Sequence, residues 1–363
     1  AEWALRDTRS RKAARRAEVA PLYTVEQART SLGRLAAADY DEWIEPGAGV
    51  RCRFRDAGHI LGSAIIEIEV GERGHTRRLV ASGDIGQPMR PVLRDPVRIA
   101  RADYLCVEST YGNRAHRSFA ATCDELALAL RRTLEVDGGN VIIPAFAVGR
   151  TQEVLFVLAD LVRGGRIGRL DVVVDSPMAS AVTALTVRHA DLWDDETRAL
   201  YAWVEANPAR FRVRFVQDVE ESMALNAVKG GLVVISASGM CDAGRIKHHL
   251  RYNLGRRECA VVIAGFQAAG TLGRRLVDGA RQVTLFGERI PVRARIHTIG
   301  GLSAHADQPA LLDWLRGFGE PPRRTFVVHG ESAASAAFVE AVERELGWSG
   351  VEAAQPGVPV VLK

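Results

Sequence analysis

The chain has 363 residues, of which 47% are hydrophobic and 25% charged, and its net charge is +4 at pH 7. This length and composition are typical of a two-domain globular protein, and no apolar run approaches the ~18 residues that would indicate a membrane span. The five cysteines are scattered and form no C-x-x-C pair, and no apolar stretch follows the basic N-terminal segment. These features argue against a disulfide framework, a zinc ribbon and a secretory signal, and they predict a cytoplasmic protein.

The first third of the chain predicts a helical stretch over roughly 1–36 and then four strands separated by tight turns. Short alternating or apolar segments predict the strands VRCRFRDAG, AIIEIEV (64–70), RRLVASGD (77–84) and YLCVEST (104–110). We therefore expect the chain to begin with a strand-rich domain.

From about residue 119 the pattern changes to helices that alternate with short β-branched runs. Examples are NVIIPAF (140–146), LVVISASG (232–239) and CAVVIAGF (259–266). Such runs predict a parallel sheet covered on both faces. Alternating strands return over 283–296, and RTFVVHG (324–330) predicts a late strand. The fold class predicted is α/β, with a strand-rich domain (1–117 and 291–363) interrupted by an α/β insertion (118–290).

Two acidic residues and three histidines lie where predicted strands end or turns follow: His59, Asp84, Glu108, His305 and His329. Each has a structural explanation of its own, as a turn former, a cap or a histidine at a strand end. Together they are the chemical groups of a dinuclear metal site, since imidazole nitrogens bind zinc and a carboxylate bridges two ions. Because loops at strand ends usually hold ligands and catalytic groups, we favour a single site.

Eight separated motifs then resemble a known family. In chain order they are DAGHILGS, ASGDIG, ESTYGNRAH, IPAFAVGRTQE, DSPMA, SASGMCDAGR, GGLSAHAD and VVHGE. They are similar to the metallo-β-lactamase fold, an αββα sandwich, with an inserted β-CASP domain of mostly parallel sheet. More narrowly, they resemble the RNA-processing branch of that superfamily. The resemblance implies a zinc-dependent ribonuclease that hydrolyses phosphodiester bonds through a metal-bridging hydroxide.

The resemblance also implies the residues' roles. His59 would bind one of two zinc ions, Asp84 would bridge both, and His329 would bind the second. Glu108 and His305 would form a pair beside the scissile phosphate, with His305 the proton donor. His116 is a further catalytic candidate in the same cleft, and the phosphate-binding candidates are Arg150, Ser176, Ser238, Gly239, Arg245 and Ser303.

The resemblance further implies RNA, most simply single-stranded RNA, as the substrate, because the DNA-processing branch usually has an aliphatic residue where this chain has His329; a homodimer is a possible assembly. Arginine makes up 44 of the 48 basic residues, which suits a phosphate-rich substrate. A codon bias of a GC-rich genome explains the same excess.

The family's histidine-rich H-x-H-x-D-H loop is absent, because residues 1–58 contain no histidine. Three protein ligands are too few to hold two zinc ions tightly. The sequence is thus interpreted as a truncated piece of a complete enzyme, or as a homologue that has lost the loop and its activity; the start without methionine favours truncation. We expect these 363 residues alone to fold poorly and to cleave RNA slowly or not at all.

Two other functions stay open at this point. The first is a non-catalytic RNA-binding or scaffold homologue, which would be expected to lose some of the strand-end residues retained here. The second is a small-molecule hydrolase on the same fold. The α/β insertion opposes that function, because it would roof the cleft and form a channel for a polymer.

Overall fold

Residues 21–72 and 74–362 are described by a computed structural model of the chain. The strands in chain order are β1 (Ile44–Gly47), β2 (Val50–Asp56), β3 (Ala64–Glu72), β4 (His75–Ala81), β5 (Tyr104–Glu108), β6 (Val141–Pro144), β7 (Leu170–Val174), β8 (Phe211–Phe215), β9 (Val233–Ser236), β10 (Ala260–Ile263), β11 (Gln282–Leu285), β12 (Glu288–Pro291), β13 (Arg295–Thr298), β14 (Arg324–Val328) and β15 (Val351–Ala353).

Ten α-helices are described in the same ranges. They are α1 (Val25–Leu32), α2 (Phe119–Arg131), α3 (Arg150–Arg163), α4 (Pro177–Arg188), α5 (Asp195–Ala206), α6 (Val219–Ala224), α7 (Ile246–Asn253), α8 (Leu272–Val277), α9 (Gln308–Leu315) and α10 (Ser332–Leu346). No helix within 21–72 and 74–362 has both the length and the apolar character needed to cross a membrane.

The first sheet has seven strands in the order β1-β2-β3-β4-β5-β14-β15. Strands β1 to β4 are antiparallel neighbours, whereas β4, β5, β14 and β15 run parallel. The alternation in β2 and β3 gives the sheet one charged face, where Arg53 pairs with the buried Glu67 at 2.9 Å. Its parallel half packs against α9 and α10 through Leu105, Leu311 and Phe338. We call this sheet and its helices the first lobe.

The second sheet has six strands, all parallel, in the order β13-β10-β6-β9-β7-β8. Successive residues of β6 point to opposite faces, so that Ile143 joins one apolar core and Ile142 the other. The sheet is therefore covered on both faces, as predicted from its β-branched runs. We call it the second lobe, together with the β11–β12 hairpin.

The second lobe is an insertion into the first. Strands β5 and β14 are direct neighbours, with Glu108 opposite Val328, although the chain between them contains the whole second sheet. The predicted interruption of a strand-rich domain by an α/β unit is thus confirmed. Strand β13 pairs with β10 of the second sheet and lies beyond the boundary predicted at 290.

Within the described residues, the helical stretch predicted over roughly 1–36 is longer than the helix observed. Only Val25–Leu32 is helical there, and residues 1–20 lie outside the described part of the chain. Thr24 caps the helix start in a capping box with Gln27, and the helix ends at Gly33. Residues 34–39 are all exposed and have no regular structure.

A buried carboxylate joins three elements of the second lobe. Asp175, directly after β7, is fully buried and accepts hydrogen bonds from Arg245 Nη1 at 2.7 Å, His249 Nε2 at 2.6 Å and Ser222 Oγ at 2.6 Å. Burial by itself raises the pKa of Asp175, but these three donors outweigh it and hold the pKa below its ordinary value. The ionised carboxylate therefore stabilises the folded lobe.

We expect Asp175→Asn to lower the free energy of unfolding by about 3 kcal/mol at pH 7, because it removes the fully buried charge that Arg245, His249 and Ser222 all contact. The contribution of a carboxylate with a lowered pKa is complete above the unfolded value of about 3.9 and is lost as the pH falls through the folded value. The difference between wild type and variant should therefore shrink below about pH 4. Urea unfolding between neutral pH and pH 3 measures it.

Asp171→Asn on the same strand is the matched control. Asp171 pairs with Arg169 and Arg212 at a more exposed position, so its loss should cost less than about 1 kcal/mol. Equal costs for the two variants at pH 7 would contradict the assignment of Asp175 as the organising charge.

Candidate metal and catalytic centre

Three parallel strands end at the same edge of the first sheet and carry three of the predicted site residues. Strand β5 lies between β4 and β14, so the carboxyl ends of all three strands are adjacent. Glu108 is the last residue of β5, His329 directly follows β14, and Asp84 follows β4 after a short turn. The pairing of the strands thus brings together side chains that are far apart in the sequence.

His59 reaches this edge from the loop that joins β2 to β3. Ser63 Oγ accepts hydrogen bonds from the backbone N–H groups of His59 (3.1 Å) and Ile60 (3.2 Å), which fixes the loop. The Asp84 turn packs directly against it, since Gly86 N–H donates to the Ala57 carbonyl at 2.8 Å. A Cβ atom at position 86 would lie 1.9 Å from the Gly58 carbonyl oxygen, so only glycine allows the two loops this close.

All five strand-end residues converge. Asp84 Oδ2 lies 3.8 Å from His59 Nε2, and Asp84 Oδ1 lies 3.3 Å from His329 Nδ1, so its two oxygens face different histidines. The rings of His59 and His305 are 4.3 Å apart and those of His305 and His329 5.7 Å. Ligand atoms of His59, Asp84 and His305 lie within 4.8 Å of one another, as do those of Glu108, His305 and His329.

Glu108 is a buried carboxylate held by several donors. His305 Nδ1 lies 3.1 and 3.2 Å from its two oxygens, and the backbone N–H of Ile85 donates to it at 2.6 Å. Burial alone would raise the pKa of Glu108, but the hydrogen bond and charge of His305, with the bonds from Thr110 and Ile85, hold that pKa below its usual range. Glu108 is therefore ionised beside His305.

The environment of His59 favours its neutral form. Burial lowers the pKa of His59, and a positive charge on His305 lowers it further, while Asp84 and Glu108 act in the opposite direction. Its buried Nδ1 atom has no well-aligned hydrogen-bond partner. A neutral imidazole is the form that binds a metal ion.

His116 lies behind the site. Its Nε2 atom donates to the backbone carbonyl of His305 at 3.0 Å, and its backbone N–H donates to Asp307 Oδ2 at 2.7 Å. Burial lowers the pKa of His116, although the bond to the His305 backbone opposes this. His116 thus contacts the backbone of the loop that carries His305.

A cleft of about 840 Å³ lies in front of the five residues, between the two lobes. Three of the predicted phosphate-binding residues line it, Arg150, Gly239 and Ser303. Arg150 is mostly buried there and pairs with Glu153 at 3.2 Å.

The other three phosphate-binding candidates lie elsewhere or make internal contacts. Ser176 is buried and caps α4 by accepting from the Ala179 N–H, and Arg245 bonds Asp175 and the Gln217 carbonyl. Ser238 is half-buried and is not among the residues that line the cleft.

Sequence reasoning missed the apolar wall of the cleft and the polar contact between the lobes. The wall includes Phe146 and Met178, whose side chains are exposed. A bulky apolar residue directly after a predicted strand was the available signal. Outside the residues that line the cleft, Arg90 Nη1 of the first lobe lies 3.9 Å from the buried Glu153 Oε1 of the second. No pattern in the sequence indicates that pair.

Comparisons with known proteins fit this architecture. The family described as Beta-Casp domain matches residues 151–276, and the Zn-dependent metallo-hydrolase RNA specificity domain matches residues 289–351. Ribonuclease TTHA0252 of Thermus thermophilus is 40% identical over 312 residues, which cover 86% of this chain and 69% of the relative.

Two archaeal relatives are more distant. The RNase J-like protein of Methanocaldococcus jannaschii is 29% identical over 327 residues, covering 89% of this chain and 74% of the relative. The transcription termination factor FttA of Methanosarcina mazei is 29% identical over 321 residues, covering 85% of this chain and 49% of the relative. With a strand-rich domain interrupted by a parallel-sheet insertion and with these matches, the chain belongs to the β-CASP family of the metallo-β-lactamase fold.

Proposed function

We propose that the protein is a metal-dependent ribonuclease that hydrolyses phosphodiester bonds of single-stranded RNA in the cleft between its lobes. The observation that carries the proposal is the convergence of His59, Asp84, Glu108, His305 and His329 at one sheet edge. Relatives named as ribonucleases and the matched RNA specificity domain support RNA as the substrate.

The donor set fits zinc in kind. Two histidines and a carboxylate are its common ligands, and the oxygens of Asp84 lie between His59 and His329. Three ligands nevertheless fall short of the eight that two tetrahedral ions take, so we expect weak binding by these residues alone. A bound zinc ion would act as a Lewis acid toward the phosphate group.

Glu108 and His305 supply the proton-transfer function. The Glu108 carboxylate accepts a hydrogen bond from Nδ1 of His305, which fixes the orientation of the ring. The Nε2 atom is then the one that can donate to the leaving oxygen. Because Glu108 is itself fixed by backbone donors, the ring cannot turn away without breaking a buried, charge-assisted network.

A small-molecule hydrolase fits the cleft less well. Its second-lobe wall carries long or aromatic side chains such as Phe146, Met178 and Phe266, rather than a few convergent polar groups that would orient a small substrate. An extended strand with stacking bases uses such a surface better.

One observation favours the alternative of a non-catalytic RNA-binding protein. His59, Asp84 and His329 are too few to saturate two ions, so a chain with these ligands alone would bind RNA without cleaving it. Cleavage and binding therefore have to be measured separately.

Zinc binding is expected to depend on Asp84. Since Asp84 is the carboxylate shared by His59 and His329, Asp84→Asn should weaken zinc binding at least tenfold in calorimetric titration. His75→Gln, at an exposed position of β4, is the control and should bind zinc like the wild type. Unchanged zinc affinity in Asp84→Asn would exclude the proposed site.

His305→Gln should lower the rate of RNA cleavage at saturating zinc by at least about 100-fold, because the proton donor is lost. RNA affinity, measured by fluorescence anisotropy, should stay within about twofold of the wild type, since His305 contributes little of the contact area. Glu108→Gln should lower the rate similarly and shift its pH profile.

A wild-type protein that binds RNA and zinc but cleaves nothing would support the non-catalytic alternative. A protein that hydrolyses thioesters or lactams faster than RNA would contradict the proposed substrate class.

A further inference from the structure

An exposed aromatic ring stands at the tip of the β11–β12 hairpin, outside the cleft. Leu285 and Glu288 pair directly, so the hairpin turns through two residues, Phe286 and Gly287. Both have positive φ angles, 51° and 82°, as a type I′ turn requires. The Phe286 side chain is 48% exposed.

Neither turn chemistry nor burial explains phenylalanine at this position. The first central residue of a type I′ turn is normally asparagine, aspartate or glycine, because a bulky side chain is strained at positive φ. A strained, half-exposed aromatic residue gains little for the fold. The exposed part of the ring is available for a contact with another molecule.

The neighbours of Phe286 are aromatic and basic. The His248 ring stacks on it at 4.5 Å with an interplanar angle of 28°, and Lys247 Nζ lies 5.1 Å from its centroid. On the same helix, Tyr252 is 45% exposed, and Arg251 Cζ lies 5.5 Å from its ring. These five residues, Lys247, His248, Arg251, Tyr252 and Phe286, form what we call the aromatic-basic surface.

The aromatic-basic surface begins on the cleft side of the second sheet. Helix α7 follows the loop after β9, so Lys247 and His248 in its first turn lie toward the carboxyl edge of the parallel strands, where the cleft is. Met240 in that loop lines the cleft, and its carbonyl accepts from the Gly273 N–H of α8, the helix that leads into the hairpin. The loop that carries Met240 therefore connects the wall of the cleft to the helix that bears Lys247 and His248.

We propose that the aromatic-basic surface is a second contact for single-stranded RNA, on which a base stacks against Phe286 while Lys247 binds a neighbouring phosphate. The inference rests on the proposed function and extends it to RNA longer than the cleft. Exposed rings interleaved with cationic side chains are typical of sequence-independent single-strand binding. Glu288, which lies beside the surface, is paired with Arg251.

The test uses Phe286→Asn, which removes the ring and installs the residue that a type I′ turn prefers before glycine. Its melting temperature should equal or exceed that of the wild type. For a single-stranded RNA of about 20 nucleotides, affinity should fall roughly tenfold, the factor that one base–aromatic stack contributes. For an RNA of about 5 nucleotides, which fills only the cleft, it should stay within about twofold.

Phe286→Trp, which keeps a stacking ring, should retain the affinity for long RNA. Lys247→Gln should weaken binding of the long RNA and reduce the salt dependence by about one counterion. Phe286→Asn with wild-type affinity for the long RNA would overturn the inference while leaving the ribonuclease proposal intact. A wild type that binds RNA of neither length would overturn both. If Phe286→Asn left RNA affinity unchanged but altered the sedimentation coefficient of the protein, Phe286 would be assigned to a protein contact instead.

Discussion

The site depends on the parallel pairing of β5 with β4 on one side and β14 on the other. This register aligns three strand ends, so that Asp84, Glu108 and His329 meet although more than two hundred residues separate the first from the last. Leu105 and Val107 of β5 are fully buried, so a slip of one residue would turn both side chains to the opposite face of the sheet and out of the core that they fill. The hydrophobic pattern that determines the register of the strands therefore also determines where the site residues at the strand ends lie.

Glu108 connects that register to the reacting groups. It is the final residue of β5, and its carboxylate accepts from the Ile85 backbone and from His305, so it joins the Asp84 turn to the loop that returns from the second lobe. The lobes meet again at the buried pair of Arg90 and Glu153. A buried charge without its partner is costly, so these contacts favour one arrangement of the lobes around the cleft. These contacts between the loops and the lobes therefore hold the proposed metal ligands and the proposed proton donor in place.

Much of this architecture could be predicted from the sequence, since it follows from local patterns. The β-branched runs predicted the parallel sheet, and the polar residues at strand ends predicted the five side chains that converge. Other features depend on contacts between distant segments, which no local pattern encodes. The four-residue strand β13 joins the second sheet only because β10 presents a free edge. Three other contacts also join distant segments of the chain: Gly86 with Gly58, Arg90 with Glu153, and His248 with Phe286. The predicted N-terminal helical stretch ends at Gly33, before the predicted limit at residue 36.

Anomalous scattering at the zinc absorption edge, from crystals of the protein grown with zinc, tests most directly whether Asp84 and the neighbouring histidines bind a metal ion. We expect an anomalous peak within bonding distance of Asp84 and of the imidazole of His59 or His329, about 2.0–2.2 Å from the ligand atoms. A zinc peak elsewhere in the molecule, with the Asp84 and His59 side chains directed away from each other, would contradict it.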